Sequence, residues 1–229
     1  MTLPRAVVLL SGGLDSATTL ALALEQGHDA FALTVRYGQR HAIEVERAAI
    51  LARSLGAREH RVVSVDLAGI GRSALTDVSL AVPRAGDPAQ IGAAIPPTYV
   101  PARNTVLLAL ALAWAETLGA SALFLGANVV DYSGYPDCRP AFLEAFERLA
   151  ELGTRHGATG GRFRVHAPLL AWTKAEIVRE ATRLGVDLAA TISCYDPGAD
   201  GRPCRACDAC VLRRKGFREA GLVDPALGD

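Results

Sequence analysis

The sequence carries no net charge. Its 24 basic residues are balanced by 24 acidic ones over 229 positions, so no overall field draws in a polyanion such as tRNA, and any basic patch has to be local. It has no hydrophobic run long enough to cross a bilayer. The longest apolar stretch, Val106 to Ala115, is well short of the roughly 20 residues a transmembrane helix requires. No basic and apolar leader with a small-residue cleavage site opens the chain, which points to the cytoplasm. There is no internal repeat and no low-complexity tract, which argues against a stacked-repeat architecture or a disordered linker. With 50% hydrophobic and 21% charged residues, there is ample material for a packed core, and one domain with a small appendage is the natural division. A small ligand is favoured over a macromolecular one.

What is present is concentrated first in residues 8 to 16, V-L-L-S-G-G-L-D-S. Ala6 to Leu10 is a continuous apolar run suited to a strand buried on both faces, and Ala17 to Leu24 continues with a helical pattern. Between them, Gly12 and Gly13 allow a tight turn whose N–H groups approach a ligand closely, while the helix start adds partial positive charge. An anion belongs there. The loop lacks the lysine of G-x-x-x-x-G-K-[ST], so it is not the commoner phosphate loop. Ser11 and Ser16 supply hydroxyls, and Asp15 can hold a magnesium ion or cap the helix beside it. The simpler alternative is a capped strand-to-helix turn with no ligand. The hexapeptide SGGLDS resembles the pyrophosphate loop of the ATP pyrophosphatases, which cleave ATP between the α and β phosphates to adenylate a substrate.

Strand and helix patterns alternate along the chain. Strands are predicted at Ala6 to Leu10, Ala30 to Val35, Arg61 to Val65, Ala122 to Leu125 and Phe163 to Ala167. Helices are predicted from Ala17 to Gln26, His41 to Leu55, Asn104 to Leu118, Pro140 to Leu152 and Thr173 to Leu184. The last begins with a capping box formed by Thr173 and Glu176. A stretch rich in Gly, Pro and Ala runs from Ala68 to Pro101. This repeated βα pattern predicts an α/β, Rossmann-like parallel sheet with helices on both faces and ligands at the carboxyl ends of the strands. Residues 1 to 190 form the nucleotide domain and 191 to 229 a small C-terminal metal-binding subdomain.

In the tail, Cys204, Cys207 and Cys210 form C-x2-C-x2-C, with Cys194 upstream. Four thiolates converging on one tetrahedral ion point to zinc, and a full set of soft ligands leaves no open position, so the site is structural. An iron–sulfur cluster is the stronger rival, although the downstream fourth cysteine and proline of ferredoxin-type ligation are missing. A disulfide does not suit a reducing compartment. The fifth cysteine, Cys138, lies in D-Y-S-G-Y-P-D-C-R, a loop whose Asp131, Tyr132, Ser133, Tyr135, Asp137 and Arg139 offer aromatic faces and hydrogen-bonding groups together. Such loops recognise ligands. Cys138 alone would more simply be a small buried hydrophobe.

Taken in order, SGGLDS, Tyr37-Gly-Gln-Arg-His41, Val100-Pro-Ala-Arg-Asn104, the tyrosine loop and the S-C-Y and cysteine tail resemble one branch of the ATP pyrophosphatases. That branch makes 7-cyano-7-deazaguanine, the nitrile precursor of queuosine. The motifs span nearly the whole chain. One position departs: Arg205 stands where the family usually has glycine, which bears on the turn of the cysteine knuckle and leaves its ligands intact.

The resemblance implies a fold of the adenine nucleotide alpha hydrolase type and a carbon–nitrogen ligase that converts 7-carboxy-7-deazaguanine and ammonium to the nitrile. It implies adenylation twice, first of the acid and then of the amide, with magnesium accompanying ATP. Leu10, Ser11, Gly12, Gly13, Leu14, Asp15 and Ser16 would cradle the leaving pyrophosphate, and Lys174 would be a second phosphate contact. Asp15 and Lys174 are the catalytic candidates, although Lys174 can equally be a solvated helix-end lysine. Arg103 and Asn104 would grip phosphates or the substrate carboxylate, with helix capping as a second reading for Asn104. Tyr37, Gln39, His41, Ser133, Tyr135, Cys138 and Arg139 would line the substrate site. Asp131 or Asp137 would pair with the guanine-like edge.

The chain opens Met1-Thr2-Leu3 and passes at once into the nucleotide strand, with no glutaminase domain, so free ammonium is the expected nitrogen donor. A homodimer is implied by resemblance alone. Two other functions compete. A tRNA-modifying relative of the thiolation type would account for the loop and the metal site together, and six basic residues against one acid between Gly201 and Arg218 favour it. The neutral balance does not. A non-catalytic zinc knuckle bound to nucleic acid is the other.

Overall fold

The computed structural model describes residues 2–40, 43–84, 91, 95–130 and 135–228. The predicted alternation forms a five-stranded sheet in the order β3-β2-β1-β4-β5, and every neighbouring pair is parallel. The elements are β1 (Arg5–Leu9), α1 (Leu14–Glu25), β2 (Asp29–Arg36), α2 (Ile43–Leu55), β3 (Glu59–Ser64) and α3 (Arg103–Leu118). After them come β4 (Ala122–Phe124), a 3-10 turn at Pro136–Cys138, α4 (Pro140–Gly153), α5 (Arg155–Ala158), β5 (Arg164–His166), α6 (Lys174–Arg183) and α7 (Asp208–Ala220).

The continuous apolar runs of the central strands are explained by burial on both faces. Val7 and Leu9 of β1, Phe31, Leu33 and Val35 of β2 and Leu123 of β4 pack on the α3 side with Leu108, Ala111 and Trp114. Ala6 and Val8, Ala30 and Ala32, and Ala122 and Phe124 face the opposite way, toward Leu20 and Ala23 of α1 and Ala48 and Ala52 of α2. Small residues on that face bring the helices close. β3 is an edge strand. Its Val62 is 42% exposed, and the Arg61 guanidinium lies over the Trp114 ring at 4.6 Å.

Strand order reverses between β1 and β4, so their carboxyl ends diverge and open a crevice where ligands bind in such sheets. The two strands remain tightly tied at its floor. A Cβ on Gly126, just beyond β4, would lie 3.1 Å from the Ser16 nitrogen at the start of α1.

Several features differ from the sequence expectation: α1 begins earlier, at Leu14, β3 is shifted to Glu59–Ser64, and a short helix α5 follows α4. The fifth strand is shorter, Arg164–His166, and the tail that reads as a cysteine knuckle continues into the helix α7. Helix α7 packs with α6 and α1 through Phe217, Ile177, Val178 and Leu14. Its pattern is broken by Gly216, which has a packing cause: a Cβ there would strike the Lys174 side chain and lie 3.1 Å from the Lys174 carbonyl carbon. The α6 capping box is present as read, with the Glu176 carboxylate accepting from the Thr173 N–H at 2.7 Å.

Candidate active site

The loop after β1 is held in shape before any ligand arrives. Gly12 has φ +83°, and a Cβ there would fall on the Glu44 carbonyl of α2 and 3.0 Å from the Ala48 nitrogen. Only glycine fits. The Ser16 hydroxyl donates to the Gly13 carbonyl at 3.0 Å and accepts from the Ser11 N–H at 3.1 Å. Helix α1 starts at Leu14 with Gly13 as its N-cap, so Asp15 stands in the first turn and is not itself the cap. Its carboxylate accepts two hydrogen bonds from Lys174 Nζ, at 2.9 and 2.8 Å. Lys174, at the start of α6, is buried. It is therefore not a solvated helix-end lysine.

This loop opens into a cavity of about 260 Å3. Leu10, Ser11, Gly13, Leu14, Asp15, Ser16, Arg103, Asn104 and Lys174 all line it. Gly12 is turned instead against α2. From the substrate set, Tyr37, Gln39, Tyr135 and Cys138 line the same cavity. Asp137 and Arg139 are not among its lining residues, and His41, Asp131 and Ser133 lie outside the described residues.

Asp137 has another partner. Its Oδ2 accepts from the Asn104 N–H at 3.0 Å, so a carboxylate from a distant loop caps α3, while Asn104 Nδ2 donates to the Asp137 carbonyl at 3.1 Å. Asn104 is thus capped and does not cap. The residue before α3, Ala102, sits at φ 54°, the left-handed region. This turn sends Arg103 toward the cavity, its guanidinium 5.8 Å from the centre of the Tyr37 ring. Burial opposes the Arg103 charge, yet the oxygens of Tyr37 and Tyr135 and the Asp137 carboxylate outweigh it and raise its pKa. Burial likewise raises Tyr37 against the pull of Arg103. The Cys138 thiol is pushed up to about 11, chiefly by burial and then by Asp137. A thiol raised this far is protonated at neutral pH, which does not suit a nucleophile.

The sequence reading overlooked three lining residues of chemical interest. Glu44, in the first turn of α2, reaches the cavity, and burial pushes its carboxyl up to about 7 against Arg103 and a hydrogen bond from Gln39. Its signal was available, since it follows Tyr37-Gly-Gln-Arg-His41 at another strand-to-helix crossover on the same edge of the sheet. Thr34, at the end of β2, donates to the Leu10 carbonyl at 2.7 Å and contacts His60 Nε2 at 2.8 Å, which fixes the cavity floor. Arg213 of α7 is the third. Its Nε and Nη2 grip Asp224 at 2.6 and 2.9 Å, Nη1 reaches Thr191 and Ser193 at 2.8 and 3.3 Å, and Nη2 also meets the Leu188 carbonyl at 3.1 Å. These contacts use all five guanidinium donors, so Arg213 staples the cavity wall and has none left for a phosphate.

The tail cysteines converge. The sulfurs of Cys194, Cys204, Cys207 and Cys210 lie within 4.8 Å of one another, with Cys207 Sγ 4.0 Å from Cys194 Sγ and 3.6 Å from Cys210 Sγ. Zinc bonded to four thiolates at about 2.3 Å sets its sulfurs roughly 3.8 Å apart, so the spacing suits one tetrahedral ion. Backbone N–H groups point at the sulfurs: Asp196 and Cys204 donate to Cys194 Sγ at 3.3 and 3.2 Å, and Cys207 donates to Cys204 Sγ at 3.3 Å. Such donors stabilise thiolates. These four residues form a structural zinc site. Arg205 has φ 62°, in the left-handed region that favours glycine, and its guanidinium bonds the Leu227 carbonyl at 2.5 Å.

A parallel sheet in this order, with a lysine-free Ser-Gly-Gly loop at its switch point, defines a nucleotide-binding α/β protein of the ATP pyrophosphatase, or PP-loop, class. In agreement, the fold resembles the crystal structure of a 4-thiouridine synthetase–RNA complex with bound ATP, with a TM-score of 0.50 and 20% identity over 94% of this chain and 53% of that one. The family model described as "Queuosine biosynthesis protein QueC" matches residues 5–221, and the chain belongs to that family. Its relatives include the 7-cyano-7-deazaguanine synthases of Anaeromyxobacter sp. (strain Fw109-5), 63% identical over 97% of this chain and 95% of the relative, and of Thiobacillus denitrificans (strain ATCC 25259 / T1), 61% identical over 97% of each.

Proposed function

We propose that this protein is an ATP-dependent ligase that converts 7-carboxy-7-deazaguanine and ammonium to 7-cyano-7-deazaguanine through adenylated acid and amide intermediates. The observation that carries this reading is that the pyrophosphate loop and the tyrosine-lined pocket are two walls of one cavity. A carboxylate oxygen or an amide oxygen is a poor leaving group, whereas AMP leaves readily, so one adenylating site serves both conversions.

In this reading the loop N–H groups, Ser11, Ser16 and Lys174 take up the negative charge that grows on departing pyrophosphate. The hard oxygens of Asp15 and the two serines would hold a magnesium ion brought with ATP, which would neutralise further charge. Arg103 orients the substrate carboxylate, and Tyr37 and Tyr135 offer faces to the bicyclic ring. Asp137 is committed to α3, which leaves Asp131 as the preferred partner for the guanine-like edge. His41 and Ser133 are proposed as further substrate contacts, whereas Arg139 is not among the residues that line the cavity. Residues 1 to 190 act as the nucleotide domain and 191 to 229 as the zinc subdomain.

Among the described residues no helix is long and apolar enough to cross a membrane. We take the protein to work in the cytoplasm as a homodimer on small molecules, without nucleic acid. The test uses protein that has first been sized by sedimentation, where two chains per particle are expected. Given ATP, magnesium, ammonium and 7-carboxy-7-deazaguanine without RNA, it should yield the nitrile with AMP and pyrophosphate. Release of ADP and phosphate, or recovery of the acid unchanged, would overturn the reading.

A further inference from the structure

Two carboxylates are among the residues lining the cavity, Asp15 and Glu44. Asp15 is engaged by Lys174 through both oxygens. Glu44 is half-buried and shares its surroundings with Tyr37, Gln39 and Arg103. The Gln39 side chain is itself fixed, since its Oε1 accepts from the Tyr37 N–H at 2.8 Å. A carboxylate that shares a cavity with the Tyr37 phenol and the Gln39 amide matches a small cation with N–H donors on every side: the carboxylate supplies charge, and neighbouring oxygens accept.

We propose that Glu44 forms the ammonium site of this cavity and accepts the proton whose loss turns ammonium into the attacking ammonia. The inference rests on the ligase reading and deepens it. Ammonium has no lone pair, so it cannot attack a carbonyl carbon. Transfer of one proton to the Glu44 carboxylate frees the nitrogen lone pair. The C–N bond then forms at the acyl-adenylate carbon, the C–O bond to AMP breaks with its electron pair leaving on AMP, and the adduct nitrogen gives its second proton to the departing phosphate. No other reactant is needed.

The neighbouring charges favour this direction. Arg103 from α3 faces the same space and works against a second cation, so a proton is lost more easily from ammonium than it would be beside neutral walls. Among the described residues, Tyr37 beyond β2 is the other titratable group that feels Glu44, and Arg47 stands one turn along α2. Arg40 is directed elsewhere, to Asp196 at 3.7 Å. A carboxyl titrating at about 7 is a base matched to neutral pH.

The experiment compares wild-type protein with Glu44→Gln and Glu44→Asp at limiting ammonium, measuring pyrophosphate release and amide formation separately. Glu44→Gln should lower kcat/KM for ammonium by about 10²-fold or more, and lower the ammonium-independent release of pyrophosphate far less. Glu44→Asp should recover part of the loss. In the wild type, kcat/KM for ammonium should fall as pH drops below about 7, and in Glu44→Gln that break should vanish and the rate should follow free ammonia alone. The inference is overturned if Glu44→Gln keeps the wild-type ammonium dependence, or if both measured steps fall together. If the substitution prevents folding, the wild-type profile decides, and the absence of a break near pH 7 overturns it. Failure of the wild type to release pyrophosphate with the acid would instead count against the ligase reading itself.

Discussion

Asp15 and Lys174 hold each other through two hydrogen bonds across more than half the length of the chain. The pair keeps a cation against the loop where pyrophosphate would form, and the Asp15 side chain stays 26% exposed in the cavity lining. Asp15→Asn preserves shape and one acceptor but leaves the ammonium without its counter-charge. Turnover should drop by roughly 10²-fold or more, with the circular dichroism spectrum unchanged; near-normal turnover would remove Asp15 from the mechanism. Strain is stored at this scale too. Ala102 and Arg205 are the described non-glycine residues with positive φ, and each stands beside the chemistry it serves, one aiming Arg103 and the other shaping the zinc turn. Local strain of this kind costs about 1–2 kcal/mol per residue and persists only where its surroundings impose it.

At the scale of elements, the strands and amphipathic helices were legible because their patterns are driven by burial: β1 and β2 are apolar on both faces, and α6 announces itself with Thr173 and Glu176. Helix α7 was not. Its cysteines read as metal ligands, its basic residues as a local patch for RNA, and Gly216 interrupts the helical pattern. The loop residues of the site could be read from the glycine and serine spacing. Glu44 could be read from its place just after Tyr37-Gly-Gln-Arg-His41; Arg213 could not, because nothing local marks a side chain whose role is set by distant partners. The same helix carries a testable constraint. Gly216→Ala must push α7 off Lys174, and overpacking of this sort costs roughly 1–3 kcal/mol. A lower melting temperature together with weaker ATP binding is expected; a lower melting temperature with ATP affinity intact would show that α7 does not brace Lys174.

In the whole molecule, the zinc site and the nucleotide loop are one mechanical unit. Ile192, just ahead of the ligand Cys194, donates its N–H to the Gly12 carbonyl at 3.0 Å. Helix α7, which begins between Cys207 and Cys210, carries Arg213 into the cavity wall and packs under Lys174. Removing zinc should therefore weaken ATP binding by about tenfold or more, some 1.4 kcal/mol, while the sheet remains folded. Titration calorimetry with and without chelator measures this directly, and unchanged affinity in metal-free protein would separate the two sites.

The bond from Ile192 to Gly12 also fixes an order of events during synthesis. The strand and glycine turn near the start of the chain leave the ribosome early, but the contacts that complete them come from residues translated long afterwards. Until Lys174 and Ile192 have been made, the Asp15 carboxylate and the Gly12 carbonyl lack these partners.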